Sequence, residues 1–267
     1  MYSFLNGKIV EKEASLSLDD AGVLRGYGVF QVVRVYDGNP FLLKEHLQKL
    51  ERDAHKLGIG FFKLPENIED VIDELAEKNG LTDFYLRMVV TGGKLRKSFY
   101  PEGKANFFIL AEKISELPEK LYSEGVHLIS LNHKREFSKM KVINYARPIS
   151  ERSKLAESDA FDFLYTWNGN ILESSRANFF IVKDEKIITP EKGVLPGITA
   201  KTVLGVAEDL GFTTEKREIE YQELRDADEA FLTSTVKEIL PVKSIDDIEM
   251  KEIKIVKKLH KAYRELV

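Results

Sequence analysis

The sequence predicts an α+β fold in two domains. Strand-like and helix-like runs intermix along the chain without a steady βαβ rhythm, which argues against a doubly wound parallel sheet. The length of 267 residues, 43% of them hydrophobic, suffices for two modest cores. Between two such stretches the segment 112–124 loses apolar density around Pro118. The boundary is placed there, with a smaller domain over 1–115, a linker over 116–124 and a larger domain over 125–267.

In chain order, SFLNGKIV (3–10) reads as a strand and GVFQVVRVYDGNPFLL (28–43) as a β-hairpin turning at Asp37-Gly38-Asn39-Pro40. Leu47, Leu50, Ala54 and Leu57 fall at helical spacing within 43–57, and Pro65 opens a second helix with Val71, Ile72, Leu75 and Ala76. Both helices should cover one face of a sheet whose further strands are FYLRMVVT (84–91) and NFFILAEKI (106–114). The second half holds a strand VHLISLN (126–132), a helix over 144–158, and DFLYTWNGNILE (162–173), with a turn at Asn168-Gly169. FFIVKDEKIIT (179–189), the helix TAKTVLGVAEDLG (199–211) and the strand EAFLTST (229–235) follow. In the last helix Ile255, Leu259, Tyr263 and Leu266 form one apolar stripe, expected in the core.

Composition excludes several function classes. There are 40 basic and 44 acidic side chains, a formal charge of −4, and no dense block of Lys or Arg, so neither nucleic acid nor an anionic membrane is an expected partner. No cysteine is present, which removes disulfides, thiolate metal sites and cysteine nucleophiles. The five histidines lack metal-ligand spacing, and no metal is expected. The opening residues show no signal-peptide pattern and no stretch is long and apolar enough to span a bilayer, so a cytoplasmic location is expected. Gly26-Tyr27-Gly28 lacks the third glycine of a dinucleotide loop and runs into a strand, and Gly92-Gly93-Lys94 is followed by Leu95 where a P-loop needs Ser or Thr.

Four segments carry chemistry together: KVINY (141–145), LESSRANFF (172–180), GVLPGIT (193–199) and FLTSTVKEILPV (231–242). In this order and spacing they resemble the class IV pyridoxal-phosphate-dependent aminotransferases, which include branched-chain aminotransferase, D-amino acid aminotransferase and aminodeoxychorismate lyase. The block 19–59 is similar to that family's amino-terminal segment, so the resemblance covers nearly the whole chain. It implies fold type IV, with a smaller α/β sandwich followed by a larger barrel-like domain, and pyridoxal 5'-phosphate as cofactor. Lys141, in K-x-x-N, is implied as the Schiff-base lysine and proton shuttle; a neutral amine is needed, and burial beside cations favours one. Read alone it could be a solvated lysine of a basic run. Glu173 is implied as the carboxylate that keeps the pyridine nitrogen protonated, so that the ring withdraws electrons from the substrate Cα.

For the cofactor phosphate, Gly197-Ile198-Thr199 precedes a helix whose free amide N–H groups would face an anion, and Thr199 could alternatively cap that helix. Ser234 and Thr235 match the family's second phosphate turn, and Tyr145 the tyrosine on the phenolic oxygen. In HLQKL, Lys49 stands where the family has arginine on the phosphate; lysine lacks the bidentate fork, and Arg52 is a substitute. For the substrate, Gln31 and its neighbours lack three charges of the family's amino-terminal block, and Thr91-Gly92-Gly93 lacks its usual carboxylate arginine. Arg25 and Arg176 could bind an α-carboxylate instead, which favours D-amino acids. The alternative is Tyr85-Leu86-Arg87, similar to the Y-x-R of branched-chain enzymes, with the backbone of Thr235-Val236 on the carboxylate. Aminodeoxychorismate lyase, or an inactive protein on the same fold, is a further alternative. The expected reaction is amino transfer from a small amino acid to a 2-keto acid by a homodimer.

Overall fold

A computed structural model describes residues 1–11, 14–95 and 99–267. By contact the chain divides into two compact units, Met1–Ser115 with Met140–Asn144, and Glu116–Lys139 with Tyr145–Val267.

The first unit holds β1 (Tyr2–Leu5), β2 (Lys8–Glu11), α1 (Ala21–Arg25), β3 (Gly28–Tyr36), β4 (Asn39–Pro40), α2 (Leu43–Lys56), α3 (Ile68–Asn79), β5 (Phe84–Thr91) and β6 (Asn106–Lys113). Its six strands form one antiparallel sheet in the order β2-β1-β6-β5-β3-β4. The run 3–10, expected as one strand, is a hairpin: Asn6 and Gly7 take φ of 48° and 93°, the left-handed pair that a tight turn requires. Side chains alternate across β3 and β5. Val29, Val33, Val35, Leu86, Met88 and Val90 are fully buried and pack with Leu50, Ala54, Ile72 and Leu75 of α2 and α3, as expected. Phe30, Val32, Arg34, Tyr85, Arg87 and Val89 point to the other face. Asp20, fully buried, caps α1 through the Gly22 amide (2.7 Å) and accepts from Thr91 Oγ1 and Asn106 Nδ2. Gly26 ends α1 with φ 62°, so the first glycine of Gly26-Tyr27-Gly28 serves a helix terminus.

The second unit holds α4 (Glu119–Glu124), β7 (Val126–Asn132), α5 (Ala146–Ser150), α6 (Arg152–Glu157), β8 (Asp162–Trp167), β9 (Asn170–Ser174), β10 (Asn178–Lys183), β11 (Lys186–Pro190), α7 (Ile198–Asp209), β12 (Thr213–Arg217), β13 (Ile219–Glu220), β14 (Glu229–Ser234), β15 (Glu238–Ile245), β16 (Ile248–Glu249) and α8 (Lys254–Arg264). The sheet order is β12-β11-β10-β14-β15-β7-β8-β9-β13, with β16 on β15. A bridge Ser174↔Ala177 joins β9 to β10, strands far apart in that order, so the sheet curls towards closure as a barrel. The helix expected over 144–158 is two short ones. They meet at Glu151, where Ser150 Oγ donates back to the Arg147 carbonyl at 2.9 Å in competition with the helix ladder. Glu229, fully buried, accepts from the amides of Ile255 and Val256 at 2.7 and 2.8 Å and fixes the start of α8. Ile255, Leu259 and Tyr263 are buried, whereas Leu266, expected in the same stripe, lies past the helix end and is exposed. No helix among the described residues is long and apolar enough to cross a membrane.

Candidate active site

In the first unit, Met140–Asn144 runs beside the start of β3. The Phe30 amide donates to the Lys141 carbonyl (2.9 Å), the Ile143 amide to the Gly28 carbonyl (3.1 Å), and Val142 bridges Val29. The Lys141 amide donates to Asp53 Oδ2 at 3.1 Å, so both backbone groups of this lysine are tied down. Its Nζ lies 5.1 Å from the centre of the Phe30 ring. Asp53 is buried and receives the Lys49 ammonium at 2.9 Å on the same oxygen. Lys49 is thus a buried, ion-paired residue of α2, while Arg52, half exposed, brings Nε within 3.9 Å of Asp53. His46, one turn earlier, is pushed down to about pKa 3, first by burial and then by the positive charges of Lys141 and Lys49. It stays neutral, with Nδ1 at 3.2 Å from Gln31 Oε1, and the Gln31 amide nitrogen is buried without a hydrogen-bond partner.

The outer face of the same sheet carries Tyr85 and Arg87. Arg87 is held by Glu112 through two contacts, Nε–Oε1 at 2.7 Å and Nη2–Oε2 at 2.9 Å, and its guanidinium sits 5.8 Å from the Phe30 ring centre. Tyr85 is buried under the Arg34 guanidinium at 5.1 Å. Arg25, at the end of α1, donates to the Leu24 carbonyl and lies over the exposed Phe99 ring at 5.0 Å, with no salt bridge among the described residues.

In the second unit, Glu173 ends β9 with only 4% exposure. Arg135 grips Oε1 through Nε (2.8 Å) and Nη2, and the Leu195 amide donates to Oε2 at 3.0 Å. A guanidinium and an amide on a buried carboxylate compensate its charge and fix it in place. Behind it Asp162, also buried, accepts from Ser174 Oγ (2.9 Å), Ser175 Oγ and the Phe163 amide, and so orders the turn after Glu173. Arg176 projects outward, 3.5 Å from Asp162 and more than half exposed. The Tyr165 hydroxyl is held well above the usual phenol range, first by burial and then by the Asp162 charge. Charges on Arg135 and Glu173, and the Tyr145 phenol, also act on it.

α7 starts at Ile198 with Gly197 as its cap and no side-chain cap bond; Thr199 is buried inside the first turn and does not cap. A Cβ on Gly197 would fall 2.1 Å from Asn178 Oδ1, so only glycine fits, and Asn178 Nδ2 holds the Leu195 carbonyl at 2.7 Å. Thr233 lies directly across from Asn178 on the neighbouring strand, so the two side chains share a face; its Oγ1 is buried without a hydrogen-bond partner. Ser234 Oγ accepts from the Lys237 amide at 3.1 Å, and Val236 is exposed at the tip of that turn. Sequence reasoning did not single out Arg135, Asp53, Asp162, Glu112 or Lys237. The last is buried, lies 5.8 Å from the Phe161 ring centre, and has its pKa pulled down to about 8, chiefly by burial.

The model of the family described as Amino-transferase class IV matches residues 28–245. The chain belongs to the class IV aminotransferases. It is 33% identical, over 100% of its length and 96% of the relative's, to a Methanocaldococcus jannaschii protein named "Putative branched-chain-amino-acid aminotransferase". It is 31% identical to D-alanine aminotransferase of Bacillus licheniformis, over 92% of this chain and 89% of that one. With aminodeoxychorismate lyase of Bacillus subtilis it shares 30% identity, over 92% and 87%. A T.th. branched-chain amino acid aminotransferase, solved with pyridoxamine 5'-phosphate, superposes with a TM-score of 0.91 at 27% identity, covering 99% of this chain and 93% of that one. Class IV aminotransferases are pyridoxal-phosphate-dependent enzymes that act on amino acids and keto acids, and the fold here is fold type IV. The donor set of the second unit fits such a cofactor: a helix start with no side-chain cap and an orphaned buried hydroxyl suit a phosphate, and an anchored carboxylate suits a pyridinium.

Proposed function

We propose that this class IV aminotransferase moves the amino group of a small D-amino acid to a 2-keto acid, with Lys141 as its catalytic amine. The observation that supports the D-donor is the contrast between two arginines. Arg25 has no salt bridge among the described residues and is available to an α-carboxylate, whereas Arg87, which an L-branched-chain mode would use, is already bidentate on Glu112.

Bound pyridoxal phosphate supplies an electron sink for the bond that breaks at the substrate Cα. Lys141 Nζ would carry the proton that leaves the substrate Cα, and the bonds of its main chain to Asp53 and Phe30 hold its backbone in place. Glu173, held by Arg135, would pair with the pyridine nitrogen. The Ile198 amide, Thr199, Ser234 and Thr235 would hold the phosphate, with Thr233 beside Ser234 in the chain, and Tyr145 the phenolic oxygen. Lys49, already paired with Asp53, would add charge for the phosphate, with Arg52 as the second cation of that helix. Val236 and Arg176 border the substrate, and the enzyme works as a homodimer in the cytoplasm.

Borohydride reduction followed by peptide mapping tests the centre of this reading, and the pyridoxyl label is expected on Lys141; a label on another lysine, or none, overturns it. A donor panel with pyruvate tests stereochemistry: D-alanine is expected to outrun L-leucine. One observation favours the L-branched-chain reading: Phe30 holds the Lys141 amine and the Arg87 guanidinium over a single ring. Faster turnover of L-leucine, with Tyr85 and Arg87 then at the substrate, would establish that reading instead. Sedimentation should give twice the mass of one chain.

A further inference from the structure

We infer that Glu112 is a specificity-determining residue that makes the side-chain end of the substrate site neutral, so that the enzyme takes amino acids with uncharged side chains and monocarboxylic 2-keto acids and rejects dicarboxylates. This rests on Lys141 being the catalytic amine. Lys141 Nζ and the Arg87 guanidinium lie 5.1 and 5.8 Å from the centre of one ring, Phe30, which caps their separation at about 11 Å. A substrate whose α-carbon sits at the amine therefore has the Arg87–Glu112 pair within reach of its side chain. In the sheet, Glu112 stands directly opposite Tyr85 and one diagonal step from Arg87, on the face turned away from the helices.

The surroundings decide what that end accepts. Two fork donors of Arg87 are taken by the two oxygens of Glu112, and the pair carries no net charge. An incoming distal carboxylate has to displace Glu112 from the fork or bind beside its negative charge. Phe30, Val32 and Val89, all at most 9% exposed, give the rest of that face an apolar lining that an alkyl side chain satisfies. Both partners of the pair are about one-third exposed, 37% and 32%, so a ligand can reach them, and the bidentate geometry keeps them together.

The test uses the holoenzyme with one amino donor and two acceptors, pyruvate and 2-oxoglutarate. The wild-type enzyme is expected to favour pyruvate in kcat/KM by at least about tenfold, and Glu112→Gln to shrink that ratio by about tenfold, the effect of one charge–charge contact of about 1.4 kcal/mol. Arg87→Gln leaves the acid alone and is expected to widen the ratio. A second measurement needs no turnover: calorimetric titration with two unreactive acids, pentanoate and glutarate. The wild-type enzyme should bind pentanoate more tightly, and Glu112→Gln should bring glutarate level with it or ahead. A wild-type preference for 2-oxoglutarate overturns the inference, as does an unchanged ratio in Glu112→Gln or, should that variant fail to fold, in Arg87→Gln. Absence of turnover with every donor and acceptor would count against the transamination reading alone, and the calorimetric comparison would then decide the charge filter.

Discussion

The two units hold their proposed reactive groups by opposite means. In the first, Lys141 is positioned through its main chain: Asp53 receives its amide, the Phe30 amide binds its carbonyl, and its Nζ lies over the Phe30 ring. In the second, Glu173 is positioned through its carboxylate, which Arg135 and the Leu195 amide hold from two sides. A group that must leave one partner and move a proton needs a fixed root and a tip that can swing. A group that only has to stay charged needs the reverse.

The comparison breaks most visibly at the two reactive groups. Lys141→Ala is expected to abolish both turnover and the borohydride label, whereas Glu173→Gln should keep the label and lower kcat by roughly 100- to 1000-fold, as loss of a preorganised charge does. Removal of the partners should show up in stability. Arg135→Ala takes the guanidinium from the buried Glu173, and Asp53→Ala the carboxylate from the buried Lys49, each costing about 3–5 kcal/mol in denaturant unfolding. Asp53→Ala should also slow turnover with every donor, because the root of Lys141 loses its acceptor; if it destabilises without slowing, main-chain anchoring is not what positions the amine.

The sequence made the strands legible where β-branched and aromatic residues run unbroken, as in 84–91 and 126–132, whose bounds match β5 and β7. It hid the turn at Asn6-Gly7, because a short apolar run on each side reads as one strand, and it hid the helix break at Glu151, where a serine bonds back to its own helix. At the site, Lys141 and Glu173 could be singled out only because four motifs recur together in a known family. Asp53 and Arg135 could not, since they stand 88 and 38 residues from the groups they hold, and no local pattern in an acidic and basic surface distinguishes a buried pair from a solvated one. Lys49 and Asp53 show this best: four apart on a helix, they look like an exposed ion pair and are instead nearly inaccessible.

Lys237 sharpens the contrast: its main chain is tied down, as that of Lys141 is, by the Ser234 and Tyr122 hydroxyls, but its amine is buried. Its pKa falls from 10.5 to about 8 on folding, so the folded chain resists protonation that the unfolded chain accepts. The stability it permits is complete above pH 10.5 and is lost as pH falls through about 8. Lys237→Met should accordingly raise stability at pH 7 by about 1–3 kcal/mol and do little at pH 10.5, as read from urea midpoints at the two values. A gain that does not vary with pH would assign the effect to packing against Phe161 instead.

The smallest effect is expected at Arg176, whose ion pair with Asp162 resembles that of Arg135 with Glu173 only in its partners. Its side chain is 58% exposed and the contact is 3.5 Å, so solvent screens it, and Asp162 keeps three other donors when the guanidinium is gone. Arg176→Ala should change stability by less than about 1 kcal/mol. Any larger consequence must then come from substrate: a rise in KM for D-alanine with kcat preserved identifies Arg176 as a carboxylate contact alongside Arg25, and an unchanged KM leaves that contact to Arg25 alone.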